Sequence, residues 1–316
     1  MGKTVIPELP DRAKARLFLL GLFLLVLYVV VPRLHGASPS LASLRHAHLG
    51  LALLAVLFLL ATNVFSAAMY MMLAMKRLPF GRTLGIQFAN AFANRLLPAG
   101  LGGLALNVRY LQKSGHTLPQ AVAVAGANNA LGFVGHILLL VLVGFLSGLG
   151  GLRQVDVPHV PSWGWIVLGV TLLVMLNLFI SRRFRQHARE AIHQALAQLE
   201  LYRRRPGRLV SALMFSMALT ICYVSVLFCS VWATAQQVPS APDIFIVFTL
   251  GIAAQTATPT PGGLGGAEAG LFAALVAYGY ESATALAAVL LYRLISYWLP
   301  LVPGVLAFAC LRKRYL

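Results

Sequence analysis

Glu268 is the acid in this chain that stands out by its setting. Of eight acidic residues, Glu8, Asp11, Asp156, Glu190, Glu200, Asp243 and Glu281 fall in tails, in loops or at the ends of apolar runs, and Glu268 alone lies inside one. A charge at membrane depth costs about 2.5–3.5 kcal/mol on the insertion scale, which makes it a candidate for function. A helix beginning near Gly265 places Glu268 in its first turn, where the helix dipole favours an anion. The alternative is a structural ion pair with a buried arginine, and the two roles are compatible. Three arginines are equally out of place: Arg95, Arg109 and Arg293, the last within Leu290-Leu291-Tyr292-Arg293-Leu294-Ile295. The planar guanidinium fork suits bidentate contact with phosphate oxygens. For Arg109 the alternative is snorkelling to the interface.

Polar residues gather near these charges. Gln87, Asn90 and Asn94 share one helix face, Asn128 and Asn129 sit in the next apolar run with His136 two turns on, and Gln255, Thr256, Thr258 and Thr260 lie in the second half. Each alone reads as interhelical glue; together they can line a wet cavity wide enough for a headgroup. His136 reads as a hydrogen-bonded core histidine. There is no pair of membrane carboxylates for acid–base chemistry, no metal-ligand spacing and no phosphate loop, so neither a cofactor nor a catalytic constellation is expected. Cys222, Cys229 and Cys310 all lie in apolar runs and read as small buried side chains.

The elements that must position these residues are broken helices. Pro98-Ala99-Gly100-Leu101-Gly102-Gly103 returns 163 positions later as Pro261-Gly262-Gly263-Leu264-Gly265-Gly266. Proline removes a donor and glycine weakens a helix, so both phrases interrupt their apolar runs. In lipid the freed backbone groups need partners inside the protein. Paired interruptions in two halves of a membrane protein point to a substrate site between them. The hinge set is Pro98, Gly100, Gly102, Gly103, Pro261, Gly263, Gly265 and Gly266. Gly115 and Gly279, 164 apart, each open an alanine-rich helix.

Composition places the whole chain in a bilayer. It has 316 residues, is 59% hydrophobic and only 10% charged, and the apolar runs repeat nearly end to end, so one integral all-α domain over 1–316 is expected. Full spans read at about 17–31, 49–75, 117–148, 163–181, 209–236 and 283–310. The interrupted segments, about 83–112 and 243–280, have arms of about 10–17 residues, short for a crossing of about 20, and read as re-entrant hairpins. The segment 184–202 has apolar residues at helical spacing between charged ones, as in an amphipathic helix on the membrane surface. GxxxG pairs at Gly144/Gly148 and Gly266/Gly270 suit close helix packing.

The net charge of +17 does not indicate nucleic acid. Eighteen of the 25 basic residues fall in four blocks: Lys3–Arg16, Lys76–Arg82, Arg182–Arg208 and Arg312–Arg314. Threading the spans puts every block on one side, as the positive-inside rule requires, with both termini cytoplasmic and suited to anionic headgroups. The order span, span, broken hairpin, span then occurs twice with opposite orientation. Repeat one covers about 17–148 and repeat two about 163–310, an inverted-topology repeat.

Three stretches together carry a family resemblance: Asn94-Arg95-Leu96-Leu97-Pro98 with its glycines, Thr258-Pro259-Thr260-Pro261-Gly262-Gly263-Leu264-Gly265 with Glu268, and Tyr292-Arg293-Leu294-Ile295-Ser296-Tyr297-Trp298-Leu299-Pro300. Nearly the whole chain resembles the lysylphosphatidylglycerol synthase transmembrane family, the flippase-like domain of bacterial multiple peptide resistance factors. The resemblance implies a multi-pass lipid translocase of the bacterial inner membrane, its substrate a lipid with an anionic phosphate. The implied substrate-binding set is Arg95, Arg109, Arg293, Glu268, Asn94, Asn129, Tyr292 and Tyr297. Ala267 and Leu104 stand where the family often has an arginine and an acid, and Asn129 takes the repeat position of Arg293. The chain ends at Leu316 just after the last span, so no lysyl-lipid synthesis is expected of it. An intramembrane lipid-modifying enzyme, or a non-transporting subunit that partners a separate lipid-synthesis enzyme, are the alternatives.

Overall fold

The structure is a computed structural model that describes residues 47–96, 100–147, 206–258 and 260–315. The expected spans at 17–31 and 163–181, the amphipathic segment 184–202 and the hinge residue Pro98 lie outside them. The described residues are helical, with no strand among them. In chain order the helices are α1 (Leu49–Leu73), α2 (Phe80–Leu96), α3 (Leu101–Lys113), α4 (Leu118–Leu146), α5 (Pro206–Ala235), α6 (Ala241–Ala257), α7 (Gly266–Ala277), α8 (Ser282–Arg293) and α9 (Leu301–Tyr315). A 3-10 turn, Pro261–Gly263, precedes α7, and a π-helical turn, Leu294–Trp298, follows α8.

Four lengths are long and apolar enough to cross a membrane: α1, α4, α5 and the stretch Ser282–Leu311. Phe133, Ile137, Val141 and Phe145 form one exposed stripe along α4, a surface suited to lipid rather than water. Both glycine phrases break their helices, separating α2 from α3 and α6 from α7. The arms are 17 and 13 residues in the first hairpin and 17 and 12 in the second.

The expected span at 283–310 is present as Ser282–Leu311, but its helical pitch is not uniform. The helix changes to π pitch at Leu294 and resumes α pitch in α9. The Leu299 N–H reaches five residues back to the Leu294 carbonyl, at 2.9 Å. Pro300 explains the change of pitch, since it has no N–H to offer the Ser296 carbonyl four residues earlier.

The scaffold is the antiparallel pair α1 and α5. At one end the His48 N–H donates to the Ala233 carbonyl at 3.3 Å. At the other, Arg208 Nη1 donates to the Ala74 carbonyl at 3.4 Å. Two core clusters form along this pair. Ala55 and Leu59 of α1 join Val226 and Val231 of α5, Val247 and Phe248 of α6, and Leu271 and Leu275 of α7. Met69, Tyr70 and Leu73 of α1 join Ala212 of α5, Ile86 of α2, Tyr110 of α3 and Val124 of α4. Each broken hairpin therefore packs at its own end of the pair.

Lipid tails are as apolar as leucine, so helices in a bilayer associate by close packing of small residues. In the second hairpin a Cβ on Gly266 would fall 1.9 Å from Thr258 Oγ1, and one on Gly270 2.4 Å from Ala254 Cβ. In the first, a Cβ on Gly102 would fall 2.0 Å from the Ala93 carbonyl oxygen. Gly144 of the other GxxxG pair has open space around it. Both hairpins end alike. Gly115 and Gly279 have φ of +88° and +87°; their N–H groups bond to Gln112 and Val276, and the next N–H reaches back to Leu111 and Leu275. These are two Schellman caps, 164 residues apart.

His116 follows the first cap and staples two loops. Its Nε2 accepts from the Met75 and Lys76 N–H groups, at 3.2 and 3.3 Å, while Nδ1 faces the Leu111 carbonyl at 3.1 Å. That pattern fixes a neutral ring with the proton on Nδ1. Thr117 then caps α4 in a capping box with Gln120.

Two predictions follow from this packing. Gly266→Ala and Gly102→Ala should each lower the melting temperature in detergent, by the equivalent of about 1–3 kcal/mol of overpacking. Gly126→Ala, with open space at its Cβ, should not, and equal behaviour of all three would refute close packing at the hairpins. Burial, opposed by the Leu111 bond and reinforced by Lys76, lowers the His116 pKa from its ordinary 6.5. The folded state thus takes the proton less readily than the unfolded one. The stability His116 contributes is complete above pH 6.5 and declines as pH falls below it. His116→Ala should therefore cost more melting temperature at pH 7.5 than at pH 5.5, and an equal cost at both would contradict the neutral staple.

Candidate functional site

The residues picked out by their chemistry meet where the second break faces α8 and its π turn. Glu268 sits in the first turn of α7, because Gly265, with φ of +88°, lets the chain turn into that helix. Its two oxygens do different work. Oε2 accepts the Gly265 N–H at 2.7 Å, capping the helix, and Oε1 accepts from Arg293 Nε at 2.7 Å. The pair is largely buried, with side-chain exposures of 19% for Glu268 and 8% for Arg293. Ionised groups removed from water persist when paired and hydrogen-bonded in this way.

Arg95, at the end of α2, reaches the same place from the first hairpin. Its Nη2 donates to the Ser296 carbonyl at 2.8 Å, the oxygen that Pro300 leaves without an N–H partner. Its Nη1 donates to Ala91 within its own helix. Tyr297 completes the contact. The guanidinium carbons of Arg95 and Arg293 lie 4.9 and 4.6 Å from its ring centre, within cation–π range. The ring edge lies against Gly262, where a Cβ would fall 2.6 Å from Cε2. Two cations thus share one aromatic ring, and one of them, Arg293, holds the carboxylate. Two buried nitrogens, Arg95 Nε and Arg293 Nη2, have no hydrogen-bond partner among the described residues.

The first break is held by neutral groups. Asn94 Oδ1 accepts the Gly103 N–H at 2.7 Å, and Asn107 Nδ2 donates to the Gly103 carbonyl at 3.0 Å. Gln87 Nε2 donates to Asn107 Oδ1 at 3.2 Å, and Ser66 Oγ to Gln87 Oε1 at 3.0 Å. The chain of bonds ties α1, α2 and α3 to the break. Asn107, Ser66, Ser296 and Gly262 were not among the candidates from sequence. Asn107 was signalled by its position four residues after Gly103, and Ser296 by its position four before Pro300.

Other candidates are placed elsewhere or act locally. Arg109 is exposed on α3 and Asn129 on α4, and neither is buried with the Glu268–Arg293 pair. Tyr292 does adjoin the site: it is buried in the second-hairpin core cluster, beside Arg293, and its hydroxyl hydrogen-bonds the Ser296 side chain. His136 Nε2 pairs with Thr249 Oγ1 at 3.2 Å, and its ring stacks on Phe245. The threonines expected along a wet cavity bond to carbonyls of their own hairpin: Thr256 to Ile252, Thr258 to Ala254 and Thr260 to Leu264. Among the described residues, no group of three His, Cys, Asp or Glu is spaced to hold a metal.

Broken apolar hairpins against an antiparallel pair of spanning helices, with a buried ion pair at their junction, define a multi-pass membrane protein. The family described as Lysylphosphatidylglycerol synthase TM region matches residues 17–304, and the chain belongs to that family. A comparison with curated proteins found no match.

The dual role of Glu268 separates two variants. Glu268→Gln keeps an oxygen for the Gly265 N–H, whereas Glu268→Ala loses both functions. Breaking a buried pair costs about 3–5 kcal/mol, and losing a cap a further ~1 kcal/mol. Both should melt below the parent in detergent, the alanine variant lower; coincident melting curves would show that Glu268 caps nothing of consequence.

Proposed function

We propose that this protein is a lipid translocase of the bacterial inner membrane, with cytoplasmic termini, that moves a phospholipid between leaflets without altering it. The observation that carries this reading is the pair of guanidiniums with unpartnered buried nitrogens at the junction of the broken hairpins. In lipid such donors favour an anionic oxygen, and a phospholipid headgroup supplies several. Family membership supports a lipid-related role.

The proposed architecture is the inverted repeat. In its favour, each half has a long helix, a broken hairpin with a Schellman cap, and a further apolar length. The hairpins pack at opposite ends of the antiparallel α1–α5 pair, and α2 touches the turn Pro261–Gly263 of the other hairpin. Arg95 bonds across the halves. In the proposed cycle the hairpins part in turn, Arg95 and Arg293 hold the phosphate, and Glu268 exchanges Arg293 for another partner.

Reconstituted vesicles test this. The parent protein should move a labelled phospholipid between leaflets, and Glu268→Gln should slow it at least about tenfold, equivalent to about 1.4 kcal/mol in the barrier. Undiminished movement would remove Glu268 from the mechanism. A chemically new lipid product would favour a lipid-modifying enzyme instead.

A further inference from the structure

Resting on the translocase reading, we infer that the site selects a headgroup with a net single negative charge, a monoanionic phosphodiester lipid, over zwitterionic or cationic ones. The argument is a charge count within one buried cluster. Arg95 and Arg293 pack on the same Tyr297 ring, and among the described residues Glu268, paired with Arg293, is the acid that joins them. The other acids among the described residues, Asp243 and Glu281, lie at the starts of α6 and α8. Counted over the described residues, the cluster therefore carries one positive charge more than its acid balances. Arg293 is 6% exposed, so water screens that excess poorly.

The hydrogen-bond inventory points the same way. Glu268 has both oxygens engaged, by Gly265 and by Arg293. The open capacity is on the donors, Arg95 Nε and Arg293 Nη2, which sit on the two guanidiniums that share the ring. Asn90 Oδ1, a buried acceptor without a partner among the described residues, lies against Gly103 at the first break and outside this cluster. A phosphodiester presents the acceptors these nitrogens lack and brings the one negative charge that neutralises the cluster. A zwitterionic headgroup leaves the excess uncancelled, and an aminoacylated cationic one increases it.

The test is a selectivity ratio, which does not depend on how much protein folds. The full chain is reconstituted in vesicles of equal parts phosphatidylglycerol, phosphatidylethanolamine and lysyl-phosphatidylglycerol. Retained lipid is quantified by native mass spectrometry, and leaflet exchange is followed with a labelled analogue of each. Phosphatidylglycerol should be favoured at least about tenfold in both readouts. Arg95→Gln, which leaves the cluster neutral, should lower that preference about tenfold towards phosphatidylethanolamine, and Arg95→Lys should retain it. Equal or greater retention and exchange of the zwitterionic or cationic lipid would overturn the inference while sparing the translocase reading. Selective retention of phosphatidylglycerol without exchange would support the inference and sink that reading. Retention with no selectivity would overturn the inference whatever the exchange. Excess soluble glycerophosphoglycerol should leave the retained lipid in place; displacement by it would reassign the site to a soluble anion and overturn a lipid ligand.

Discussion

A backbone group freed by breaking a helix in lipid must find its partner in the protein, and this requirement places nearly every polar side chain of the site. Asn94 takes the Gly103 N–H, Glu268 takes the Gly265 N–H, and Arg95 takes the Ser296 carbonyl. These are first of all structural bonds. Their consequence is that the charges of the site are wired into the main chain. Glu268 cannot leave the Gly265 N–H without uncapping α7, and Arg95 cannot leave Ser296 without exposing a carbonyl to hydrocarbon. The binding proposed at this junction would therefore be coupled to backbone geometry by the chemistry of the bilayer itself.

The two breaks answer the same need with different charge. At the first, a neutral asparagine bonds a glycine N–H and a neutral chain through Asn107, Gln87 and Ser66 backs it. At the second, a carboxylate does the work and requires a cation to balance it. A neutral bond in lipid has little to exchange with a ligand. A carboxylate–guanidinium pair can exchange either member for a ligand of matching sign. The second hairpin is therefore the one open to chemical control, and the first supplies a reference surface through Arg95.

Much of this was legible in sequence wherever a residue type was wrong for its solvent. The glycine phrases marked both breaks, Glu268 marked the first turn of α7, and Arg95 and Arg293 marked the junction. What sequence does not carry is the partner of each group. That Arg95 bonds Ser296 depends on a π turn and on Pro300, and the effect of that proline was hidden in a run apolar enough to read as one span. That Gly262 matters follows from a tyrosine ring 35 positions away in sequence pressing on it. The threonine hydroxyls donate to carbonyls of their own hairpin, a local partner that their pattern in sequence does not reveal. Arg109 and Asn129 lay near the motifs in sequence, but their helices turn them outward.

The arrangement of breaks also says where the molecule can move. Helices α1 and α5 run unbroken through both core clusters and so act as the frame. The three interruptions lie outside that frame, between α2 and α3, between α6 and α7, and between α8 and α9. The last joins unlike neighbours: Ala285, Val289 and Tyr292 of α8 belong with the second hairpin, whereas Ala307, Phe308 and Leu311 of α9 pack with the first. A displacement of one hairpin against the other must be absorbed at the π turn between them, where π pitch replaces regular helical hydrogen bonding. That turn carries Ser296 and Tyr297, the two contacts of Arg95. In the proposed cycle, the joint and the residues that hold the charges together are thus the same five-residue segment, and an anion that drew Arg95 or Arg293 off Tyr297 would loosen it.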